Sequence, residues 1–311
     1  MSRARALGLL VGFAADRAWG DPRRGHPVAL FGSLARHVEN GLHGDSVPRG
    51  VLHAATLVGG AALLGVGVER ATWNRPVLQA ASTAVATWTV LGGRSLEREA
   101  LAVHRYLAAD DLPGARHRLT HLVGRETSSL SSEEVARAVV ESVAENTSDA
   151  VTAALFWGAV AGVPGLLAHR AANTLDAMVG HHNARYERFG KASARLDDLL
   201  NLPGSRYAAV LVLAAAPQRA RDARRAWRRD ARAHPSPNAG IVESAFAGAL
   251  GVTLGGVNRY GDRVEHRPTM GDGRGVEARD VPRGTALARR VGWAAVLGAA
   301  GLASRLPTHA R

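Results

Sequence analysis

The feature that most constrains this chain is the alternation of apolar stretches with connections rich in arginine. A hydrocarbon core about 30 Å thick requires about 20 mostly apolar residues in a helix. Four stretches approach that length: residues 50–68, 76–93, 150–168 and 239–257. Three shorter apolar stretches accompany them: residues 7–15, 207–216 and 291–303. Because charge is concentrated in the connections, a polytopic membrane protein is favoured over a soluble helical bundle.

The small residues inside these stretches point the same way. Residues 59–67 contain four glycines, which let helix backbones approach closely in a membrane but weaken a soluble helix. Strand-type alternation is weak throughout the chain. The sequence therefore predicts an all-α polytopic fold with about four to six transmembrane or membrane-embedded helices, forming one domain over residues 1–311. We interpret the first helix as retained, with a cleaved signal peptide as the alternative.

The charge distribution predicts an orientation in the membrane. The formal net charge is +12, and Lys191 is the only lysine. With only 5% aromatic residues and no basic run interleaved with them, nucleic acid is not expected as a partner. Arginines beside apolar spans fit the positive-inside rule, so we expect a multi-pass protein of the inner (cytoplasmic) membrane, with residues 94–149 as a large polar helical loop and residues 217–238 as a basic cytoplasmic loop. The chain contains no cysteine, which excludes disulfides and thiolate metal sites.

An acidic helix is predicted where the polar loop meets the third apolar stretch. Four acids fall within about 80° of arc on a helix that starts near Ser131: Glu134, Glu141, Glu145 and Asp149. A solvated acidic face is one interpretation. Two observations favour a functional site: Asn146 projects towards the valine side, where an amide needs partners, and Glu145 and Asp149 approach the membrane boundary, where carboxylates must be paired or metal-bound.

Oxygen-bearing side chains form two clusters after this apolar stretch. The clusters are Asn173 with Asp176, and Asp197 with Asp198 and Asn201. Helical spacing lets the members of each cluster reach one cation. Carboxylate and amide oxygens suit Mg²⁺, which takes one or two carboxylates together with substrate phosphates. Helix capping and salt bridging with Arg195 are the structural alternative.

Polar residues near both ends of the chain are further site candidates. Asp21 and His26 lie in turn-forming Gly-Asp-Pro and His-Pro segments and could serve catalysis or pin a loop. Asn238 is a candidate N-cap of a helix containing Glu243, and an exposed helix N-terminus could hold phosphate. The chain lacks a complete Walker motif, a dinucleotide fingerprint and a nucleophile elbow.

The motifs, taken in order, resemble the cobinamide-synthase family of cobalamin biosynthesis. The most specific segments are Val-Glu-Ser-Val-Ala-Glu-Asn-Thr-Ser-Asp at 140–149 and Asn-Thr-Leu-Asp-Ala-Met-Val-Gly at 173–180. Shorter matching segments are residues 20–22, 26–28, 93–95, 189–190, 194–198 and 237–240, with Glu243. The likeness covers nearly the whole chain.

The resemblance implies an integral membrane ligase. Such an enzyme condenses a propionate side chain of adenosylcobyric acid, a corrinoid, with aminopropanol phosphate or free aminopropanol, using ATP as co-substrate and Mg²⁺. Membrane lipid and other late corrin-pathway enzymes are the implied partners, and the active site is expected to face the cytoplasm.

The roles of individual residues are our hypothesis. Mg²⁺ is assigned to Asp176, Asp197 and Asp198, assisted by Asn173 or Asn201. Glu141 or Glu145 is the expected general base for the incoming ammonium, in a catalytic group with Asn146, Asp149 and His26. Substrate and phosphate binding is assigned to Asp21, Arg94, Arg195, Asn238 and Glu243.

Three other functions remain open at this stage. Asp-Asp-x-x-Asn beside an apolar stretch loosely resembles the metal site of an intramembrane lipid-diphosphate transferase. A membrane regulator related to β-lactamase signalling has a distantly similar architecture. A soluble helical ligand-binding protein is the third.

Overall fold

The chain folds mainly into helices. The computed structural model describes residues 2–21, 25–181, 183–260 and 263–306, so Pro22 of the Gly-Asp-Pro segment lies outside the described residues. The first six α-helices are α1 (Ser2–Trp19), α2 (Pro27–Leu42), α3 (Val47–Thr72), α4 (Pro76–Val90), α5 (Gly93–Ala108) and α6 (Leu112–Leu119). The next six are α7 (Ser132–Thr147), α8 (Ala153–Val179), α9 (Lys191–Ala215), α10 (Ala220–Asp230), α11 (Ala239–Leu250) and α12 (Asp280–Arg305). The helical prediction is confirmed, with one exception: an antiparallel hairpin of β1 (Leu254–Tyr260) and β2 (Arg263–Met270).

The chain divides into two compact units. Unit 1 comprises Met1–Gly92, Asp149–Gly204 and Ala295–Arg311, and unit 2 comprises Gly93–Ser148 and Ser205–Ala294. A π-helical turn, Ser148–Thr152, joins α7 to α8 where the chain passes from one unit to the other. The polar loop of residues 94–149 is folded into α5, α6 and α7, as its helical prediction required.

Close helix contacts build unit 1. Gly8 and Gly12, one turn apart on α1, face α4: a Cβ added at Gly12 would lie 2.5 Å from the Ala84 carbonyl oxygen and from Thr87 Cβ. Glycine at both positions therefore lets the two backbones approach, as small residues do between membrane helices. Beyond the end of α1, the Trp88 indole donates a 2.9 Å hydrogen bond to the carbonyl of Gly20.

Helix α8 is kinked in the middle, and the carboxylate of an ion pair accepts a hydrogen bond from the backbone at the kink. Gly162 has φ 66° and ψ −145°, two residues before Pro164. Glu69 Oε1 accepts hydrogen bonds from the Val163 backbone N–H (3.1 Å) and from Arg5 (3.2 Å). Glu69 lies at the end of the apolar stretch of α3. Its carboxylate supplies the hydrogen-bond partner that the backbone N–H freed by the kink in α8 needs.

Among the residues that the structure describes, two helical runs are long and apolar enough to cross a membrane. They are Val47–Thr72 and the continuous run Ser132–Val179, and a third arises if Lys191–Ala215 and Pro217–Ala233, bent by 103°, form one span. Large apolar side chains on α3 and α4 are exposed, with Leu63 71% and Val77 79% accessible. An apolar surface of this kind suits contact with lipid.

The stretch at 239–257 is not a membrane helix, contrary to the sequence prediction. Helix α11 has twelve residues, ends at Leu250, and is followed by Gly251 in the left-handed region at φ 71°. At 1.5 Å per residue it is about 18 Å long, too short for a hydrocarbon core. The remaining residues turn and enter β1.

Unit 2 is organised around α7 and α11. Ser131 begins α7 with a capping box in which Glu134 reaches back to the Ser131 N–H, which confirms the predicted helix start. Val135, Val139 and the fully buried Phe246 belong to one apolar core. Helix α10 packs its alanines on α11 and turns most of its arginines to solvent, as expected for the basic segment.

Candidate functional site

The first polar centre lies in unit 1, where α8 meets α9. On α8, His169, Asn173 and Asp176 follow each other at helical spacing and share a face. On α9, Asp197 and Asn201 are one turn apart. Side-chain contacts link Asn173 and Asn201 to Asp197, whose carboxylate also interacts with Asp176 and Asp198. The structure thus brings the five residues assigned to metal into one cluster.

Hydrogen bonds in this cluster fix the orientation of Asp197. His169 Nε2 donates to Asn201 Oδ1 at 2.9 Å, which leaves the amide N–H groups of Asn201 to face Asp197. The amide of Asn173 donates to the same carboxylate. Asp197 is 7% exposed, and its Oδ1 has no hydrogen-bond partner among the described residues. The amides therefore act here as supports of Asp197.

The donor set fits a magnesium ion of the kind that binds with phosphates. A buried carboxylate oxygen without a partner, beside a second carboxylate, matches the one or two carboxylates that Mg²⁺ takes from a protein. Within the described ranges, no group of three or more His, Asp or Glu side chains is arranged to hold a metal. A cation bound by this cluster would therefore take its other ligands from water and substrate.

Arg170 is a half-buried cation that was not predicted from the sequence. It interacts with Asp21 and Asp197 and lies 3.4 Å from Asn173 Oδ1. His26 joins this side of the cluster, since its Nε2 lies 4.0 Å from Asp21 while its Nδ1 accepts from the Val28 N–H and caps α2. The available signal was an arginine next to the end of an apolar span, where a charge needs a partner.

An apolar cavity of about 500 Å³ opens beside this cluster within unit 1. Its walls come from α2, α3, α4 and α8, and its polar lining includes Arg170 and Thr174. The volume lies within the range of about 300–1,000 Å³ of pockets for drug-sized ligands. Arg170 therefore connects the cavity with the carboxylates.

The second polar centre lies in unit 2 and is built on Glu141. The Glu141 carboxylate is buried, receives a 2.8 Å ion pair from Arg125 and accepts the Gly255 N–H at 2.9 Å. Arg137, one turn earlier, lies 3.9 Å away. The solvated-face interpretation is therefore wrong for Glu141, which joins α7 to the start of β1 and has its negative charge compensated.

Glu243 is the uncompensated acid of this centre. It is 1% exposed, and neither carboxylate oxygen has a hydrogen-bond partner in the described part of the chain. Burial, reinforced by the negative charges of Glu141 and Glu145, holds the Glu243 pKa well above its usual value against the opposing charges of Arg267 and Arg125. Glu243 therefore keeps a proton that an ordinary carboxyl loses.

A cavity of about 140 Å³ connects these groups within unit 2. Its charged lining consists of Arg125, Glu141, Glu145, Glu243 and Arg267. The two arginines were not predicted, since neither belongs to a motif that the sequence singles out. Glu243 was singled out, but as a phosphate ligand, which its buried negative neighbours disfavour.

Three other predicted site residues lie on α7, in the π-helical turn that follows it, and on α9. Asn146 is half-buried and donates to the Ser142 carbonyl on its own helix at 2.9 Å. Asp149 is half-buried in the π-helical turn. Arg195, on α9, is exposed.

The last two predicted residues have structural contacts in unit 2. Arg94 lies 3.6 Å from Glu97 on α5. Asn238 occupies the N-cap position of α11, but its side chain makes no capping bond, which corrects the prediction. Its Oδ1 accepts from Ser205 and Arg206, each at 2.9 Å, and Ser236 Oγ accepts from the Ala239 N–H instead.

Comparison with known proteins gives matches over nearly the whole chain. The family model "CobD/Cbib protein" matches residues 9–288. The chain is 48% identical over 295 residues to the cobalamin biosynthesis protein CobD of Mycobacterium tuberculosis, covering 93% of each chain. It is 41% identical over 301 residues to CobD of Rhodobacter capsulatus, covering 93% of this chain and 94% of the relative.

A third relative agrees with these two. CobD of Geobacter metallireducens is 44% identical over 280 residues, covering 88% of both chains. No solved structure matches the chain. With the family model and these relatives covering most of its length, the chain belongs to the CobD/Cbib family.

Proposed function

We propose that this protein is the membrane ligase of cobalamin biosynthesis that attaches aminopropanol phosphate, or free aminopropanol, to adenosylcobyric acid. Family membership supports the pathway. The observation that carries the reaction is the carboxylate cluster of buried Asp197 and half-buried Asp176 beside an apolar cavity of about 500 Å³. A phosphate donor and the acid that it activates need a cation site beside the place where the reacting side chain of the acid is held.

The acid must be activated before an amide can form. In the proposed first step, a propionate carboxylate oxygen attacks the γ-phosphorus of ATP, and the bond to ADP breaks. Transfer of this kind depends on positioning and charge stabilisation. Mg²⁺, held by Asp176 and Asp197 with Asp198 nearby, would neutralise phosphate charge. Arg170, at the edge of the cavity, would meet the carboxylate, because a guanidinium pairs with carboxylates in a fixed geometry.

The amine then replaces the phosphate. Its ammonium loses one proton to a carboxylate base, and the nitrogen attacks the acyl carbon. Inorganic phosphate then leaves with the second proton of the amine as the C–O bond breaks. Glu141 is already paired with Arg125 and accepts the Gly255 N–H. Glu243 has no hydrogen-bond partner among the described residues, and its raised pKa is closer to that of an amine. Glu243 therefore replaces Glu141 and Glu145 as the proposed base.

The membrane topology belongs to the same proposal. Four to six membrane-spanning or membrane-embedded helices, in the inner membrane, would leave the arginine-rich segments and the active site on the cytoplasmic side. The exposed apolar side chains of α3 and α4 support lipid contact for unit 1.

Conversion of adenosylcobyric acid by membranes carrying the protein tests the reaction. With ATP, Mg²⁺ and aminopropanol phosphate, mass spectrometry should detect adenosylcobinamide phosphate. The Asp197→Asn variant should lose this product, whereas Asp45→Asn, which changes a 72% exposed carboxylate of unit 1, should keep it. Absence of product with either amine, from membranes shown to contain folded protein, would favour a regulator or a lipid-diphosphate transferase.

A further inference from the structure

The small cavity of unit 2 has a composition that restricts its ligand. Three carboxylates, from Glu141, Glu145 and Glu243, line it together with two guanidinium groups, from Arg125 and Arg267. Its volume of about 140 Å³ is well below the range of about 300–1,000 Å³ for drug-sized ligands. A ligand that fits must be small, and the carboxylates favour a positive group on it.

The positive group belongs at Glu243. Glu141 already has Arg125 and the Gly255 N–H, but both oxygens of Glu243 lack a hydrogen-bond partner among the described residues. A buried polar group of this kind is costly unless a ligand satisfies it. A primary ammonium has three N–H donors and one positive charge, which match two empty carboxylate oxygens.

The negative group of such a ligand belongs at the positive charge of Arg267. Arg267 reaches the cavity from β2, and its guanidinium lies 3.5 Å from His234 Nε2. Guanidinium groups bind phosphate through paired hydrogen bonds. The cavity thus offers carboxylates and a guanidinium to one small molecule, and this arrangement suits a zwitterion.

Resting on the proposed function, we propose that the unit 2 cavity binds the amine co-substrate as a zwitterion, with its ammonium at Glu243 and its phosphate at Arg267. The phosphorylated amine is then the better ligand, and free aminopropanol loses the interaction with Arg267. This choice between the two amines is not decided by the sequence motifs.

Binding of the amine alone tests the proposal without requiring turnover. Isothermal titration of detergent-purified protein, without ATP or corrinoid, would use aminopropanol phosphate as ligand. Its analogue 1,2-propanediol 2-phosphate, with hydroxyl in place of the amine, should bind about 10–100-fold more weakly, the range expected for a charge-assisted hydrogen bond. Glu243→Gln should weaken the binding of aminopropanol phosphate by a similar factor. Arg267→Gln should remove the preference for aminopropanol phosphate over free aminopropanol.

Two matched variants exclude a general loss of structure. Glu133→Gln changes an exposed acid on the same helix as Glu141, and Arg279→Gln changes an arginine 68% exposed in unit 2. Both should bind aminopropanol phosphate like the unmodified protein. Equal affinity for the amine and its hydroxyl analogue, or unchanged affinity in Glu243→Gln, would overturn the proposed site even if the enzyme makes product.

Proton release gives a second readout that a purely structural role of Glu243 would not produce. The free carboxyl faces Glu141 and Glu145 on α7, Arg125 before it and Arg267 on β2, and it should ionise when the ammonium arrives. Titration in buffers of different ionisation enthalpy, repeated at several pH values, should show a proton release on binding that is smaller in Glu243→Gln. The same proton release from both proteins would contradict the placement of the ammonium.

Discussion

Replacement of Glu243 by glutamine should stabilise the protein, and the gain should grow with pH. The folded state raises the pKa of Glu243 through burial and through the charges of Glu141 and Glu145. A carboxyl whose pKa is raised by folding contributes stability below the pKa of the unfolded chain. That contribution is lost as the pH rises towards the raised value, because the unfolded chain has already released its proton. Glutamine does not titrate and avoids this loss.

The size of the effect follows from linkage. One proton held by the folded but not by the unfolded state changes the free energy of unfolding by about 1.4 kcal/mol per pH unit. The difference in the free energy of unfolding between Glu243→Gln and the unmodified protein should therefore grow by up to this amount per pH unit above the ordinary glutamate pKa. It should level off above the raised pKa of the folded state. In a melting experiment in detergent between pH 5 and 8, this growth corresponds to a change of up to roughly 3 °C per pH unit in the difference between the two melting temperatures.

A matched variant makes this prediction decisive. Glu133→Gln changes an exposed acid of the same unit and should give a difference in melting temperature that stays flat over this range. A flat difference for Glu243→Gln as well would refute the reasoning, since it would mean that Glu243 ionises at the same pH in the folded and unfolded states.

The remaining predictions concern packing and catalysis. Glu141→Ala leaves Arg125 without its ion-pair partner and should lower the free energy of unfolding by about 3–5 kcal/mol in denaturant titrations; a loss below 1 kcal/mol would contradict a buried pair. Gly12→Val forces α1 away from α4 and should cost about 1–3 kcal/mol, whereas Gly67→Val, with open space around its Cβ, should be nearly neutral; equal effects would refute this close approach. Asp197→Asn should reduce ligase activity at least about tenfold and raise the Mg²⁺ concentration needed for half-maximal rate, and an unchanged Mg²⁺ response would contradict the metal assignment.

Helical regions were predictable because their signals are local. The capping pattern at Ser131 and the apolar stretch of α3 each act within one element, and the structure confirms them. The hairpin was missed because Gly255 and Gly256 lie at the end of the apolar stretch of residues 239–257, which was interpreted as a candidate membrane helix. Its sequence signal was present: two runs with β-branched and aromatic residues flank the dipeptide Gly261-Asp262.

The site was predictable in part for a related reason. Motifs identified Asp176, Asp197 and Glu243, since each stands at helical spacing from another polar residue or inside an apolar segment. Their partners were not predictable, because Arg125 and Arg267 meet Glu243 only through tertiary packing. That packing decides whether a buried acid has an ion-pair partner and a backbone donor, like Glu141, or has no hydrogen-bond partner among the described residues, like Glu243.

The most direct test of acyl-phosphate activation followed by amine attack is an isotope transfer. Adenosylcobyric acid labelled with ¹⁸O in the reacting carboxylate would be converted with ATP, Mg²⁺ and aminopropanol phosphate, and the released inorganic phosphate analysed by mass spectrometry. Each phosphate released should contain one ¹⁸O atom, and one should be retained in the amide. Product formed without ¹⁸O in the inorganic phosphate would contradict acyl-phosphate activation.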